Sequence, residues 1–335
     1  MQKQIKLLKR PTGTPSKEDF EITNIPIGEP VDGEVLIRTL YIFVDPYLRG
    51  RMNDAKSYVP PFELNKPISS GVIGQVVESK SQHFQKNDVI LGNLPWQEYA
   101  IMKESNIRKV DHNLAPASAY LSVLGMTGLT AYFGLLDIGQ PEKGETIVVS
   151  GAAGAVGSIV GQIAKIKGAY VVGIAGSNDK VNYLVNDLGF DAAINYKTEN
   201  VNKALEQACP NGIDVYYENV GGEISDAVYP LLNKFARIPV CGAISAYNRE
   251  EADIGPRVQT YLIKTSTIMK GFTVGDYASR FEEGTKALTE WLQAGQLQYE
   301  ETITEGFDQT IDAFLDLFKG ANTGKAIVKV AELEE

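Results

Sequence analysis

Cysteine, histidine and tryptophan occur only twice each among the 335 residues. With Cys209, Cys241, His83 and His112 as the whole soft-ligand inventory, a four-cysteine zinc site is excluded. A disulfide framework has almost nothing to build on, and a catalytic zinc would need three ligands at spacings the chain does not offer. Positive charge is also in deficit: 32 Lys+Arg against 42 Asp+Glu leave a net charge of -10 and a pI near 5.0. Such a chain is a poor general binder of nucleic acid or anionic membrane. Long apolar runs are missing too. Residues 123–136 are broken by glycine and threonine and fall short of a membrane span. The basic residues 1–10 lead into Pro11 rather than into an apolar signal core. The expectation is a cytoplasmic protein with no metal, nucleic-acid or membrane partner.

What is present describes a globular chain: 44% hydrophobic and 22% charged residues, with no internal repeat. At roughly 150 residues per domain its length predicts two domains. Residues 1–120 hold short apolar runs, at 34–40, 71–77 and 88–92, separated by proline and glycine, which predicts a β-rich barrel or sandwich. Beyond 145 the pattern alternates. Apolar strands are predicted at 146–150, 170–174, 192–194, 213–217 and 237–240, with helices at 154–167, 179–188 and 201–209 between them. That alternation implies a doubly wound parallel sheet. Helices at 281–294 and 308–318 precede Gly295 and Gly320, as C-terminal capping requires. A last strand at 325–330 is placed to return to the first domain. The resulting division is 1–120 with about 302–335, and about 121–301.

The strongest chemical signal is Ser150-Gly151-Ala152-Ala153-Gly154-Ala155-Val156-Gly157, set between a buried strand and an amphipathic helix. A glycine turn there aims free N–H groups and the helix's positive end at a pyrophosphate. An NAD site usually places a carboxylate after the second strand. This chain instead has Ala175-Gly176-Ser177-Asn178-Asp179-Lys180. Ser177 and Lys180 suit a 2′-phosphate, so the residues predict NADP(H) rather than NAD(H).

Beyond the glycine loop, Gly161-Gln162-Ile163-Ala164-Lys165, Asn195-Tyr196-Lys197, Glu218-Asn219-Val220-Gly221-Gly222 and Cys241-Gly242-Ala243-Ile244-Ser245 resemble the zinc-independent medium-chain dehydrogenases/reductases. Asp45-Pro46-Tyr47-Leu48-Arg49, Gly128-Leu129-Thr130-Ala131-Tyr132 and Gly320-Ala321-Asn322-Thr323-Gly324-Lys325 carry the likeness over the whole chain. It is similar above all to the leukotriene B4 12-hydroxydehydrogenase/prostaglandin reductase group, which includes alkenal double-bond reductases. The resemblance implies a GroES-like β-rich barrel domain for substrate, a Rossmann NADP-binding domain, a cleft between them and a homodimer. It implies cofactor contacts at Gly154, Ala155, Val156 and Gly157 for the pyrophosphate, and at Lys180 and Tyr196 for the 2′-phosphate. Asn219, the stretch Cys241, Gly242, Ala243, Ile244, Ser245 and Tyr247, the run Phe272, Thr273, Val274, and Asn322 line the remainder. Where zinc-dependent relatives carry Gly-His-Glu, this chain has Val72 and Ile73.

Without a Lewis acid, conjugate reduction is the favoured chemistry, because charge delocalises onto an enolate oxygen that hydrogen-bond donors can hold. The expected reaction is NADPH-dependent reduction of the carbon–carbon double bond of α,β-unsaturated aldehydes and ketones, with hydride adding to the β-carbon. Candidate donors are Tyr47, Tyr247, Tyr261 and Lys264, the last two sharing a face if their segment is helical. Cys241, after an apolar strand, reads as a small buried residue. The apolar segment 267–274 reads as an edge strand open to a second subunit. A quinone reductase and a noncatalytic NADPH-binding protein are the alternatives.

Overall fold

The computed structural model describes residues 1–334. The chain begins with β1 (Gln2–Leu7), β2 (Phe20–Ile25), β3 (Glu34–Phe43), the one-turn α1 (Leu48–Arg51), β4 (Ser69–Ser79), β5 (Val89–Pro95), β6 (Tyr99–Lys103) and β7 (Ile107–Lys109). It continues through α2 (Met126–Phe133), β8 (Thr146–Ser150), α3 (Gly157–Ile166), β9 (Tyr170–Ala175), α4 (Asn178–Asn182), β10 (Ala192–Asn195), α5 (Val201–Ala208) and β11 (Ile213–Tyr217). Then follow α6 (Gly222–Val228), β12 (Leu232–Val240), α7 (Gln259–Thr265), β13 (Ile268–Gly271), α8 (Phe281–Gln293), β14 (Glu301–Glu305), α9 (Thr310–Leu317) and β15 (Lys325–Lys329). These elements form two compact units, one made of residues 1–121, 301–322 and 326 onward, the other of 122–300 and 323–325.

The first unit is built on a seven-stranded sheet ordered β14-β15-β3-β4-β5-β7, with β6 also paired to β3. β1 and β2 form a separate antiparallel pair. Length lets β3 serve three partners: its first half pairs with β6, its last residues with β15, and nearly its whole length with β4. The core is sealed by Phe314 of α9, whose ring meets Phe20, Trp96 and Phe318 edge-on, at 6.2, 6.2 and 5.3 Å. Trp96 is fully buried, and its indole N–H donates to Ser70 Oγ at 2.8 Å, which in turn donates to Phe43 O at 2.7 Å. The polar edge of this large ring is therefore satisfied inside the core, as burial of an indole requires.

The second unit holds a six-stranded parallel sheet ordered β10-β9-β8-β11-β12-β13. Every residue of β8 is buried, which explains its unbroken apolar run. The strand order reverses between β8 and β11, the point at which a doubly wound sheet offers a ligand site at its carboxyl edge. A staple ties the opposite end. The Arg237 guanidinium bonds both Glu145 carboxylate oxygens, at 2.8 and 2.6 Å, and donates to Gly139 O and Gln140 O. Burial works against the Glu145 anion, but these bonds outweigh it and hold the carboxyl below its ordinary value.

Several boundaries differ from expectation. α3 starts at Gly157 rather than 154, because residues 154–156 complete the turn. β12 starts at Leu232, five residues before the predicted 237. Its opening half was hidden by Phe235, which takes a positive φ of 64° and is exposed, so the alternation breaks there. α2 runs on as a π-helix over Gly134–Gly139, and α4 likewise over Tyr183–Asp187.

Candidate functional site

The glycine turn leaves β8 at the reversal of strand order. Gly151 takes a φ of +59°, which a side chain disfavours. Gly157 is where the helix touches the turn: a Cβ there would lie 2.4 Å from Gly151 O. Gly154 is different, since the nearest atom to its Cβ position is Gly151 O at 3.3 Å. The turn is braced by Gly324, whose N–H donates to Ala153 O at 2.8 Å and which bridges Gly154. Sequence reasoning assigned no contact to Gly324. The amides of Ala155 and Val156 donate to no protein acceptor among the described residues, and both residues are only half-buried. Two unengaged N–H groups at the head of a ten-residue helix make an anion receptor.

A second positive feature lies where β9 and β10 end. Ser177 caps α4, its Oγ accepting from Lys180 N at 3.3 Å; the hydroxyl hydrogen remains for another acceptor. Lys180 is half-buried, and its ammonium is pulled below the ordinary lysine value first by burial and then by repulsion from Lys197. The sequence pattern assigns Lys197 no role; folding brings its charge to bear on Lys180. Asn195 holds this corner, donating to Asn178 Oδ1 at 2.8 Å and accepting from Lys197 N at 3.1 Å. Tyr196 lies beside Gly176, its ring atoms 3.0–3.2 Å from where a Cβ would project. Two cations sharing one corner cost energy unless an anion joins them.

The third group joins the ends of β11 and β12. Asn219 Nδ2 donates to Ser150 O at 2.7 Å and Asn219 N–H to Ser150 Oγ at 2.9 Å, locking this strand end to the glycine turn. Cys241 N and Gly242 N donate to Glu218 O, Ile244 N to Asn219 O and Ser245 N to Val220 O. Residues 241–247 therefore follow the 218–220 backbone closely, and the Tyr247 hydroxyl accepts from Ala243 N at 3.4 Å. Beneath them the Glu218 carboxyl is buried, with Ser225 Oγ donating at 2.5 Å. Desolvation holds its pKa up despite that bond. Cys241 is half-buried rather than buried, a correction to the expectation, because it ends β12 at the open carboxyl edge.

The donor candidates scatter. Tyr261 and Lys264 do share α7, but the Tyr261 ring packs on the core and against Tyr229 at 6.1 Å while Lys264 is exposed; they do not act as a pair. Tyr47 stands in the first unit, ahead of α1 and 6.1 Å from the Phe43 ring. Its phenol is kept protonated, first by desolvation and next by Asp45, and its hydroxyl has no hydrogen-bond partner among the described residues. Phe272, Thr273 and Val274 follow β13, with Thr273 capping the next turn. Asn322 belongs to the first unit. Val72 and Ile73 are fully buried in β4, and among the described residues no group of three or more His, Cys, Asp or Glu could hold a metal ion.

A family model described as the N-terminal domain of oxidoreductase matches residues 3–110, and one described as zinc-binding dehydrogenase matches 155–291. The chain is 64% identical over 334 residues to YfmJ of Bacillus subtilis (strain 168), a protein named for NADP-dependent oxidoreductase activity, covering 99% of this chain and 98% of that one. It is 40% identical over 335 residues to the NADP(+)-dependent 2-alkenal reductase of Nicotiana tabacum, covering 98% and 97%. Among solved structures, CurA from Vibrio vulnificus in complex with NADPH superposes with a TM-score of 0.94 at 42% identity, covering 98% of this chain and 99% of that one. No helix among the described residues is long and apolar enough to cross a membrane.

Proposed function

The chain belongs to the zinc-independent medium-chain dehydrogenases/reductases, in the group of alkenal and prostaglandin reductases, and from that premise we propose that it reduces the carbon–carbon double bond of α,β-unsaturated aldehydes and ketones with NADPH. The observation that carries the cofactor half of this reading is the pair Lys180 and Lys197 at the second strand end, where burial and mutual repulsion already burden the Lys180 ammonium. A 2′-phosphate answers that strain, and Ser177 and Tyr196 stand beside it. The unengaged amides of Ala155 and Val156, between Gly154 and Gly157, suit the pyrophosphate. Asn219, residues 241–245, Tyr247, residues 272–274 and Asn322 are the further cofactor contacts.

When bound, NADPH supplies a hydride, which adds to the β-carbon of the substrate and leaves negative charge on the carbonyl oxygen. The chain's own work is to orient the alkene, exclude water and hold that oxygen. Tyr47 suits the last role because its protonated hydroxyl has no acceptor within the protein; Tyr247 is the second donor. Tyr261, whose ring packs against the core, and Lys264 are the remaining candidates. Proton return to the α-carbon falls to solvent or to one of these phenols.

The test is NADPH consumption against a panel of alkenals, enones and quinones, with the product examined for saturation of the carbon–carbon bond. Saturated carbonyl products are expected. Turnover confined to quinones would make the chain a quinone reductase, and tight NADPH binding with no turnover a noncatalytic binder. We also propose a cytoplasmic homodimer joined at the edge strand β13, where Ile268 is 62% exposed. Neither Cys209 nor Cys241 is in a disulfide, as a reducing compartment favours. Sedimentation as a monomer at micromolar concentration would overturn the dimer.

A further inference from the structure

Arg49 and Arg51 lie in the same one-turn helix and are used in opposite ways. Arg49 is buried, its guanidinium donating to Asn53 Oδ1, Pro11 O and Gly13 O at 2.7, 3.2 and 2.9 Å; it braces the loop beneath α1. Arg51 is half-buried, and its Cζ stands over the Phe62 ring, 4.0 Å from its centroid. One of its N–H groups, at Nε, donates to Pro60 O at 3.1 Å. The Nη1 and Nη2 groups have no acceptor among the described residues, and no carboxylate forms an ion pair with them.

A guanidinium has five donors in a planar fork, and stacking on an aromatic face leaves its edge available. Burial lowers the Arg51 pKa, and the groups that oppose this are the Tyr47 and Tyr58 phenols rather than an acid. A structural arginine in this position would satisfy its fork on backbone carbonyls, as Arg49 does. Arg51 is held by the Phe62 ring and by its Nε, with both Nη groups unspent. That is the form in which arginine receives a carboxylate. One helical turn earlier stands Tyr47, whose hydroxyl is likewise unengaged. Asp45 acts on that phenol, so an anion is favoured at the Arg51 end of the cluster rather than at Tyr47.

We propose that Arg51 is a specificity residue that receives an anionic carboxylate on the substrate, so that the chain prefers unsaturated carbonyl compounds bearing an acid over their neutral esters. The inference rests on the reductase reading above, and its test separates the two. An enone ending in a carboxylate is compared with its methyl ester as substrate for the full-length chain and NADPH. The corresponding saturated keto acid and keto ester are used for equilibrium binding.

In the unsubstituted chain the acid is expected to exceed the ester about 10- to 100-fold in kcat/KM and in affinity, the range of a charge-assisted bidentate contact. Arg51→Gln brings both ratios toward one, whereas Arg51→Lys, which keeps the charge and loses the fork, gives an intermediate ratio. Equal binding of acid and ester by the unsubstituted chain overturns the proposal, as does an Arg51→Gln variant that discriminates as before. Failure to reduce either enone sinks the reductase reading, while the binding ratios still decide Arg51. Melting temperatures of both variants check that the Phe62 stack has not simply collapsed.

Discussion

Lys180→Ala is expected to raise the KM for NADPH by about 10- to 150-fold, the equivalent of roughly 1.5–3 kcal/mol for a charged hydrogen bond, and to leave the KM for NADH almost unchanged. The ammonium sits half-buried with Lys197 opposing it, so its removal takes away the attraction to a 2′-phosphate. Thermal melts of the variant distinguish this effect from damage to the fold. Lys197→Ala should act in the same direction but more weakly, because Lys197 is exposed and its charge is screened by solvent. The double substitution should fall short of the sum of the two, since each lysine is relieved when the other leaves. Steady-state kinetics with both nucleotides check this, and an unchanged preference for NADPH in Lys180→Ala would remove the assignment of this corner.

Gly157→Ala is expected to lower stability by about 1–3 kcal/mol through overpacking, and to cost most of the NADPH affinity as well. The new Cβ would stand 2.4 Å from Gly151 O and 2.8 Å from Ala152 Cα. Both are backbone atoms in a turn tied to Asn219 and Gly324, so neither can swing aside like a flexible side chain. The turn must shift, and the amides of Ala155 and Val156 shift with it. Gly154→Ala supplies the contrast, because its Cβ would meet Gly151 O at 3.3 Å, a contact that slight relaxation relieves. That variant should melt near the parent temperature yet bind NADPH poorly, since the methyl intrudes where the pyrophosphate is proposed to lie. Thermal melts and nucleotide titrations of the two variants decide between these roles. Parent-like behaviour of Gly157→Ala in both would refute the packing argument.

The parallel sheet was readable in advance because each of its elements announces itself locally. β8 and β11 are short apolar runs, and α3 repeats an apolar stripe with helical spacing. The glycine turn was readable for the same reason, as it occupies consecutive residues between two recognisable elements. The positive corner was only half visible: Ser177 and Lys180 lie in one segment, whereas Lys197 reaches them from the end of the neighbouring strand. Gly324 was missed as a brace because nothing near it in the chain reveals that its N–H meets Ala153 O. Tyr261 is a donor candidate by its spacing from a motif, and the packing of its ring against the core was not legible because spacing along a helix does not say which side faces inward. Arg51 lay next to a recognised motif, but its distinction from Arg49 is a matter of which N–H groups already have acceptors.

The pairing of β15 with β3, in which Ile327 stands opposite Phe43, has a consequence for biogenesis. β3 leaves the ribosome long before β15, its neighbour on that side. At roughly 5–20 residues per second, that edge waits on the order of 15–60 s for its partner. The parallel sheet, encoded without interruption between 146 and 271, can close in the meantime. Contacts so remote in sequence form slowly, and Phe314 arrives with the same late segment to fill the first unit's core. The nascent chain therefore carries a finished nucleotide-type fold beside an open β-edge, and the tail that follows acts as the clasp completing the older half.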